Sequence, residues 1–164
     1  MEAHGFKDFR GKESQDVCFL KDTHVKDFLD DKLGSSIEPG SIVTVDGEEI
    51  GQHKGLHRYT VGQRRGLGLP DHTPWYVCAL DAGKNRLIVG KNEHLNTRLL
   101  KAVKPHWLVP SPPGRGDRFK VKIRSTHSGA MATITEINGA HITMEFDHQQ
   151  RALSPGQFAV LYHN

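Results

Sequence analysis

The chain has little cysteine and no long apolar run. Cys18 and Cys78 are its two cysteines among 164 residues, too few for a disulfide scaffold. No stretch approaches the ~20 consecutive apolar residues of a membrane helix. Hydrophobic residues make up 36% of the chain, so a soluble protein with a modest core and no membrane partner is expected. The beginning, MEAHGFKDFRGK, has no apolar segment of the kind a secretory signal carries. A cytoplasmic location follows as an expectation, with thiols free or only transiently oxidised. Strong charge is missing too. A formal net charge of +3 permits a nucleic-acid partner but does not demand one. There is no long internal repeat and no low-complexity segment.

What is present reads mostly as strands. The exception is DTHVKDFLDDKLG, where Val25, Phe28, Leu29 and Leu33 recur at helical spacing. Asp22 or Thr23 can cap its start, because a short oxygen-bearing side chain satisfies free N–H groups of the first turn. Gly34 is placed to end it. From residue 38 the signals become turns and alternation. PGSIVTVDGEEIG predicts a hairpin whose Asp46-Gly47 pair supplies the positive φ angles of a tight turn. TPWYVCALD and NRLIVGK flank AGK as a second strand pair. HWLVPSPPGRGD is a Pro/Gly-rich break. DRFKVKIRS alternates strictly, ATITEINGAHITMEF predicts a hairpin around Asn138-Gly139, and SPGQFAVLYHN predicts a last strand.

The expected fold is therefore mainly β: a small central β domain with one short helix, then a small β-barrel of six-stranded type. The organisation expected is a loop and helix over 1–36, a central β domain over 37–98 and a C-terminal barrel over 99–164. The last strand ends abruptly, with no polar tail to cover an edge. The beginning is as abrupt, so the chain is expected to be part of a longer protein.

Five places are weighed for chemistry. On the strand 118–124, Phe119, Val121 and Ile123 share one face while Arg118, Lys120, Lys122 and Arg124 share the other, with same-face neighbours roughly 6.6–6.8 Å apart. Such a row suits a phosphate backbone, whose neutralisation releases counterions. It equally suits a solvated outer face, since Lys and Arg blunt exposed strands. GLHRYTVGQRRGLGLP holds Arg58, Arg64 and Arg65 among glycines; arginine forks fit phosphate. It lacks the Lys-Ser/Thr of a phosphate-binding P-loop and is not a dinucleotide fingerprint, so a plain basic turn stays open. His53 and His57 are four apart, but Gly55 between them argues against a helical metal-binding face, and no metal site is expected. Cys78 sits in an apolar strand pattern and reads as a small buried hydrophobe. Cys18 differs, because it ends a polar loop near Lys12 and Lys21, where a nearby cation favours thiolate. A half-buried structural cysteine is the alternative.

GKESQDVCFL, PGSIVTVDGEEIGQHKGLHRYTVGQRRGLG, WYVCALDAGKNRLIVG, VKIR and LSPGQFAVLY, taken in that order, resemble the C-terminal half of the tRNA-specific 2-thiouridylases. The resemblance spans nearly the whole chain, and ESQDVCF with YTVGQRRGLG carries most of its specificity. It implies a sulfurtransferase that replaces the C2 oxygen of the wobble uridine, position 34, in tRNAs for Lys, Glu and Gln. It implies ATP and Mg2+ held by an N-terminal domain with an S-G-G-x-D-S loop, a motif this chain does not contain, so no cofactor is expected here and the chain alone is expected to be inactive. Cys18 matches the family's persulfide cysteine, charged by a sulfur-relay donor protein. The first cysteine of the family's pair has no match. Arg124 and Gln157 match tRNA contacts, and Lys120 and Lys122 extend that surface. Ser125, Thr126 and His127 stand where the family commonly has Tyr-Arg-Gln, so Ser125 keeps the backbone position without an aromatic ring. A monomer is expected. The reading weighed against all this is a stand-alone RNA-binding β module without catalysis.

Overall fold

The structure is a computed structural model and describes residues 25–34, 37–70 and 72–163. The chain divides into two units, Met1–Ile37 and Glu38–Asn164. Helix α1, Val25–Leu33, belongs to the first. Asp27 lies in its first turn and Lys32 in its last, the arrangement that complements the helix dipole. The Lys32 ammonium lies 5.8 Å from the Phe28 ring centre, one turn back on the same face. Gly34 follows with φ +48°, the left-handed conformation that ends helices and that glycine adopts without penalty. The expected caps, Asp22 and Thr23, lie outside the described residues.

The second unit holds two sheets. The first contains β1 (Gly40–Thr44), β2 (Glu49–His53), β3 (Tyr76–Asp81) and β4 (Arg86–Gly90) in the order β2-β1-β4-β3. β1 runs parallel to β4, and the other neighbours are antiparallel. Its core is Ile42, Leu67, Val77, Leu87 and Val89, all nearly inaccessible. The β1–β2 hairpin forms where expected, but by a different turn. Gly47 has φ +91° while Asp46 does not enter the positive region. The Gly47 N–H donates to the Thr44 carbonyl, and the Thr44 N–H to the Glu48 carbonyl. One left-handed glycine after a turn thus replaces the expected pair of positive φ angles.

The second sheet contains β5 (Asn96–Val103), β6 (Arg118–Lys122), β7 (Ala130–Asn138), β8 (His141–Arg151) and β9 (Val160–Tyr162), ordered β5-β8-β7-β6-β9 and antiparallel throughout. Phe119, Val121, Ala132, Ile134, Ile142, Met144 and Phe146 form its core. Irregularities at Thr97/Leu99 and Ile134/Glu136 bend the sheet as extra residues in a ladder do. The β7–β8 turn comes one residue later than expected. Asn138 pairs with His141, so Gly139 and Ala140 are the central residues, with φ +52° at Gly139. β5 has no counterpart in the sequence reading, and the expected boundary at 98/99 falls inside it. The mainly β architecture with one short helix holds.

The end of β8 meets the first sheet. Ala152, at φ +54°, donates its N–H to the Leu95 carbonyl at 2.9 Å. Arg151 donates from Nε to the Asn92 side-chain oxygen at 3.3 Å, and its guanidinium lies 5.4 Å from the Tyr76 ring centre. A Cβ on Gly62 would stand 3.1 Å from the Ala152 methyl, so the 60–65 loop also comes close to this corner.

Candidate nucleic-acid interface

The site is built on β6, an inner strand of the second sheet. Phe119 and Val121 enter the core and Ile123, just past the strand, joins them. The intervening side chains are therefore driven to the outer face, where Arg118, Lys120 and Arg124 are exposed and Lys122 is half-buried. The charges on this face are not equivalent. Arg118 is paired with Asp147 at 2.6 Å, and Arg98 with Glu145 at 3.1 Å, so both acids of this stretch of β8 are neutralised. Lys120 and Lys122 make no ion pair among the described residues. The stem of Lys120 passes close over Gly129, where an added Cβ would come within 2.8 Å of the lysine Cε.

Beyond β6 the chain turns through Arg124-Ser125-Thr126-His127, closed by the His127 N–H donating to the Arg124 carbonyl at 3.1 Å. His127 pins this turn on both sides of its ring. Nδ1 accepts from the Ile123 N–H at 3.4 Å, which leaves the proton on Nε2 to donate to the Gln150 side-chain oxygen at 3.0 Å. Arg124 itself donates from Nη2 to the Arg151 carbonyl at 2.8 Å. Ser125 and Thr126 are exposed.

β9 pairs with β6 in the register Lys120↔Tyr162 and Lys122↔Val160. The Arg124 turn follows Lys122, and Gln157 precedes Val160. Both therefore sit at the same end of this antiparallel pair. Gln157 is exposed beside Gly156, which has φ +84°. The structure thus gathers Lys120, Lys122, Arg124, Ser125 and Gln157 on one strand pair and its end. Cys18 lies outside the described residues.

The sequence reading missed Phe158 and Tyr162, which are 88% and 47% exposed. In QFAVLY, Ala159 and Leu161 pack on the core, and Phe158, Val160 and Tyr162 take the opposite phase. The alternation was visible, but apolar residues occupy both phases, so nothing in the sequence says which one faces solvent.

The basic loop 55–70 is a separate feature. The Gly62 N–H donates to the Val77 carbonyl at 2.8 Å, and the Val77 N–H to the Gln63 carbonyl at 2.9 Å. The Gln63 side chain braces the turn by accepting from the Thr60 N–H and donating to the Arg65 carbonyl. Arg64 and Arg65 stay exposed. An open cleft of about 340 Å³, lined by Arg64, His72, Thr73 and Trp75 among others, adjoins the loop. The Lys91 ammonium covers the Trp75 ring at 3.4 Å from its centre.

The histidine and cysteine of the first sheet are structural. His53 is 1% exposed. Its Nδ1 accepts from the Gly55 N–H, and its Nε2 donates to the Asn85 carbonyl, each at 3.1 Å. No group of three His, Cys, Asp or Glu that could hold a metal occurs among the described residues. Cys78 is half-buried rather than buried. The β3–β4 ladder skips it between Val77 and Ala79, so the bulge rotates it off the core face. Burial still pushes its thiol up from the ordinary value.

Two domain families match this chain: the tRNA methyl transferase PRC-barrel domain over residues 26–91 and the aminomethyltransferase beta-barrel domain over 97–164. Among similar curated proteins, the tRNA-specific 2-thiouridylase MnmA of Desulfotalea psychrophila is 50% identical over 99% of this chain and 47% of its own length. Those of Koribacter versatilis and Syntrophotalea carbinolica are 40% and 39% identical over 97% and 92% of the chain, and 44% and 42% of their own lengths. The chain spans about half the length of the curated relatives it matches. Through both domain matches and these identities, it belongs to the tRNA-specific 2-thiouridylase family.

Proposed function

We propose that this chain is the sulfur-carrying and tRNA-docking portion of a tRNA-uridine 2-sulfurtransferase. Cys18 receives sulfur from a relay donor protein as a persulfide. Its terminal sulfur is delivered to C2 of the wobble uridine in tRNAs for Lys, Glu and Gln: the carbon–sulfur bond forms as the C2 oxygen leaves with AMP, and the sulfur–sulfur bond breaks as a second cysteine, outside this chain, forms a disulfide with Cys18. The second sheet docks the tRNA as a cytoplasmic monomer. One observation carries the docking reading. In a chain of this family, Lys120 and Lys122 stand without acidic partners among the described residues on the outer face of β6, at the same strand pair as Arg124 and Gln157. Phosphate contacts of this kind orient an RNA rather than read its sequence.

ATP does not fit the described residues. The glycine-rich loop 55–70 passes through left-handed turns at Gly62, Gly66 and Gly68 and leads to β3, not into a helix whose N-terminus could take phosphate. ATP and Mg2+ are assigned to the part of the relatives' length that this chain does not span, and the chain alone is expected to be inactive.

The test is Cys18→Ser in the full-length enzyme, read by mass spectrometry of digested tRNA. Thiolation is lost and tRNA affinity is unchanged. Retained thiolation overturns the sulfur-carrier role and leaves a non-catalytic RNA-binding module.

A further inference from the structure

Beside the cations of β6 runs a second row on the same face of the sheet. Tyr162 stands directly opposite Lys120, and Val160 opposite Lys122. Directly paired residues on one face have Cβ atoms about 4.5–5.5 Å apart. Phe158 continues the phase two residues before Val160 and is 88% exposed, with Val160 at 45% and Tyr162 at 47%. Their alternates, Ala159 and Leu161, pack on the core, and His163 reaches the Phe119 ring at 4.9 Å between centres. The inward side of this segment is thus anchored, and Phe158 and Tyr162 stay exposed among the described residues.

A phenyl ring this exposed gains nothing from folding, since its apolar surface stays in water. Its setting is charged. Asp147 and Glu145 are already paired with Arg118 and Arg98, which leaves the lysines beside the aromatic row uncompensated among the described residues. That combination complements a ligand with π-faces on one side and anions on the other. Unpaired nucleotides have this form, their bases stacking on aromatic rings and their phosphates lying against cations. A duplex does not, because its bases are already stacked on each other.

We propose that the outer face of β9 and β6 is a stacking platform for unpaired RNA bases. Phe158 and Tyr162 provide the rings, and Lys120 and Lys122 face the phosphates. The inference rests on the tRNA-docking reading and deepens it, since it places single-stranded nucleotides of the substrate on this strand pair. It also supplies the aromatic ring that the Ser125 position lacks, from a different strand.

The test uses the 164-residue chain and a fluorescein-labelled single-stranded RNA heptamer of mixed sequence, with the same sequence as a duplex for comparison. Binding is followed by fluorescence anisotropy across a salt series. The single strand binds more tightly than the duplex. Phe158→Ala weakens single-strand binding by about 5- to 100-fold without changing the salt slope, as loss of one stacked base requires. Phe158→Trp restores it. Lys122→Gln instead lowers the salt slope by about one unit. Unchanged binding by Phe158→Ala, equal binding of duplex, or failure of the tryptophan to rescue overturns the platform. Self-association of the chain that Phe158→Ala abolishes overturns it too, in favour of a protein interface. Salt-dependent binding of intact tRNA that survives Phe158→Ala sinks the platform alone. No binding of tRNA at any salt concentration sinks the docking reading itself.

Discussion

The Arg124 guanidinium donates to the Arg151 carbonyl at 2.8 Å, which ties the turn after β6 to the end of β8. The next residue, Ala152, is the one bonded to Leu95, which ends the short helical turn leading into β5. A single arginine therefore sits at the end of the β6–β9 pair proposed to face RNA and also ties the turn after β6 to the end of β8.

The two roles separate by substitution. Arg124→Ala is expected to lower the salt slope of tRNA binding by about one unit and stability by about 1 kcal/mol, the usual net worth of one hydrogen bond. Arg124→Lys keeps the charge and the slope. Its lone ammonium lacks the planar fork that reaches one acceptor while leaving donors free, so the stability loss remains. Salt-dependent binding and chemical denaturation, run on both variants, check the pair of outcomes.

His53 gives the second prediction. It is sealed inside the first sheet, and each ring nitrogen has a backbone partner, at Gly55 and at Asn85. His53→Phe keeps a flat ring, somewhat larger, but strands a buried N–H and a carbonyl, at about 1–3 kcal/mol for each group. Gly40→Ala attacks the same point from the other side. The new methyl would collide with the Asn85 carbonyl oxygen and lie 2.7 Å from His53 Nε2. Overpacking of this kind costs about 1–3 kcal/mol. Urea denaturation should show both variants destabilised while Gly114→Ala, where no atom lies within 4 Å of the added Cβ, is not.

Glycine and alternation made much of this fold legible. Gly34 and Gly47 mark a helix end and a hairpin because left-handed backbone is cheap for glycine alone. Phe119, Val121 and Ile123 declared the buried face of β6 by their period of two. β5 stayed hidden because Leu99 and Leu100 are adjacent, so neither face reads as polar; in the structure Leu99 is 47% exposed and Leu100 packs against the core. The β7–β8 turn slipped by one residue because the pairing of Asn138 with His141 leaves only Gly139 and Ala140 between them. At the candidate site, the cations were readable one by one. Their acidic partners on β8 were not, since Asp147 reaches Arg118 across 29 positions, and which lysines remain uncompensated is a tertiary fact.

Asp81 carries a pH dependence. It caps the β3–β4 turn, its Oδ1 accepting from the Lys84 N–H at 3.1 Å and its Oδ2 from Arg86 at 3.3 Å. The backbone bond from Lys84 is the largest cause holding its carboxyl below the usual carboxylate value; burial opposes it, and the hydrogen bond and charge of Arg86 add to the lowering. A depressed folded value means the stabilisation is present above the unfolded value of about 3.9 and fades as pH falls through the folded one. Thermal melts of the parent and Asp81→Asn should therefore differ near neutral pH and converge as the solution is acidified below about pH 4. A gap that persists at the lowest pH removes the ionised carboxylate as its source.

Cys78 titrates in the opposite sense. Burial holds its thiol above the ordinary value, because the thiolate loses water it cannot replace. The protonated form is favoured by folding, so its contribution is whole below the unfolded value of about 8.5 and is lost as pH rises through the folded one. Two measurements follow. Cys78→Ala should lose less stability than the parent as the solution is taken from pH 8 toward pH 10. In a Cys18→Ser background, iodoacetamide should modify Cys78 slowly at pH 7.5, with a rate that climbs at higher pH than that of a free thiol, since only thiolate reacts. Cys18, measured in Cys78→Ala, is expected to react faster at the same pH if lysines beside it favour the thiolate. Equal rates for the two thiols at pH 7.5 would remove the electrostatic distinction between a carrier cysteine and a structural one.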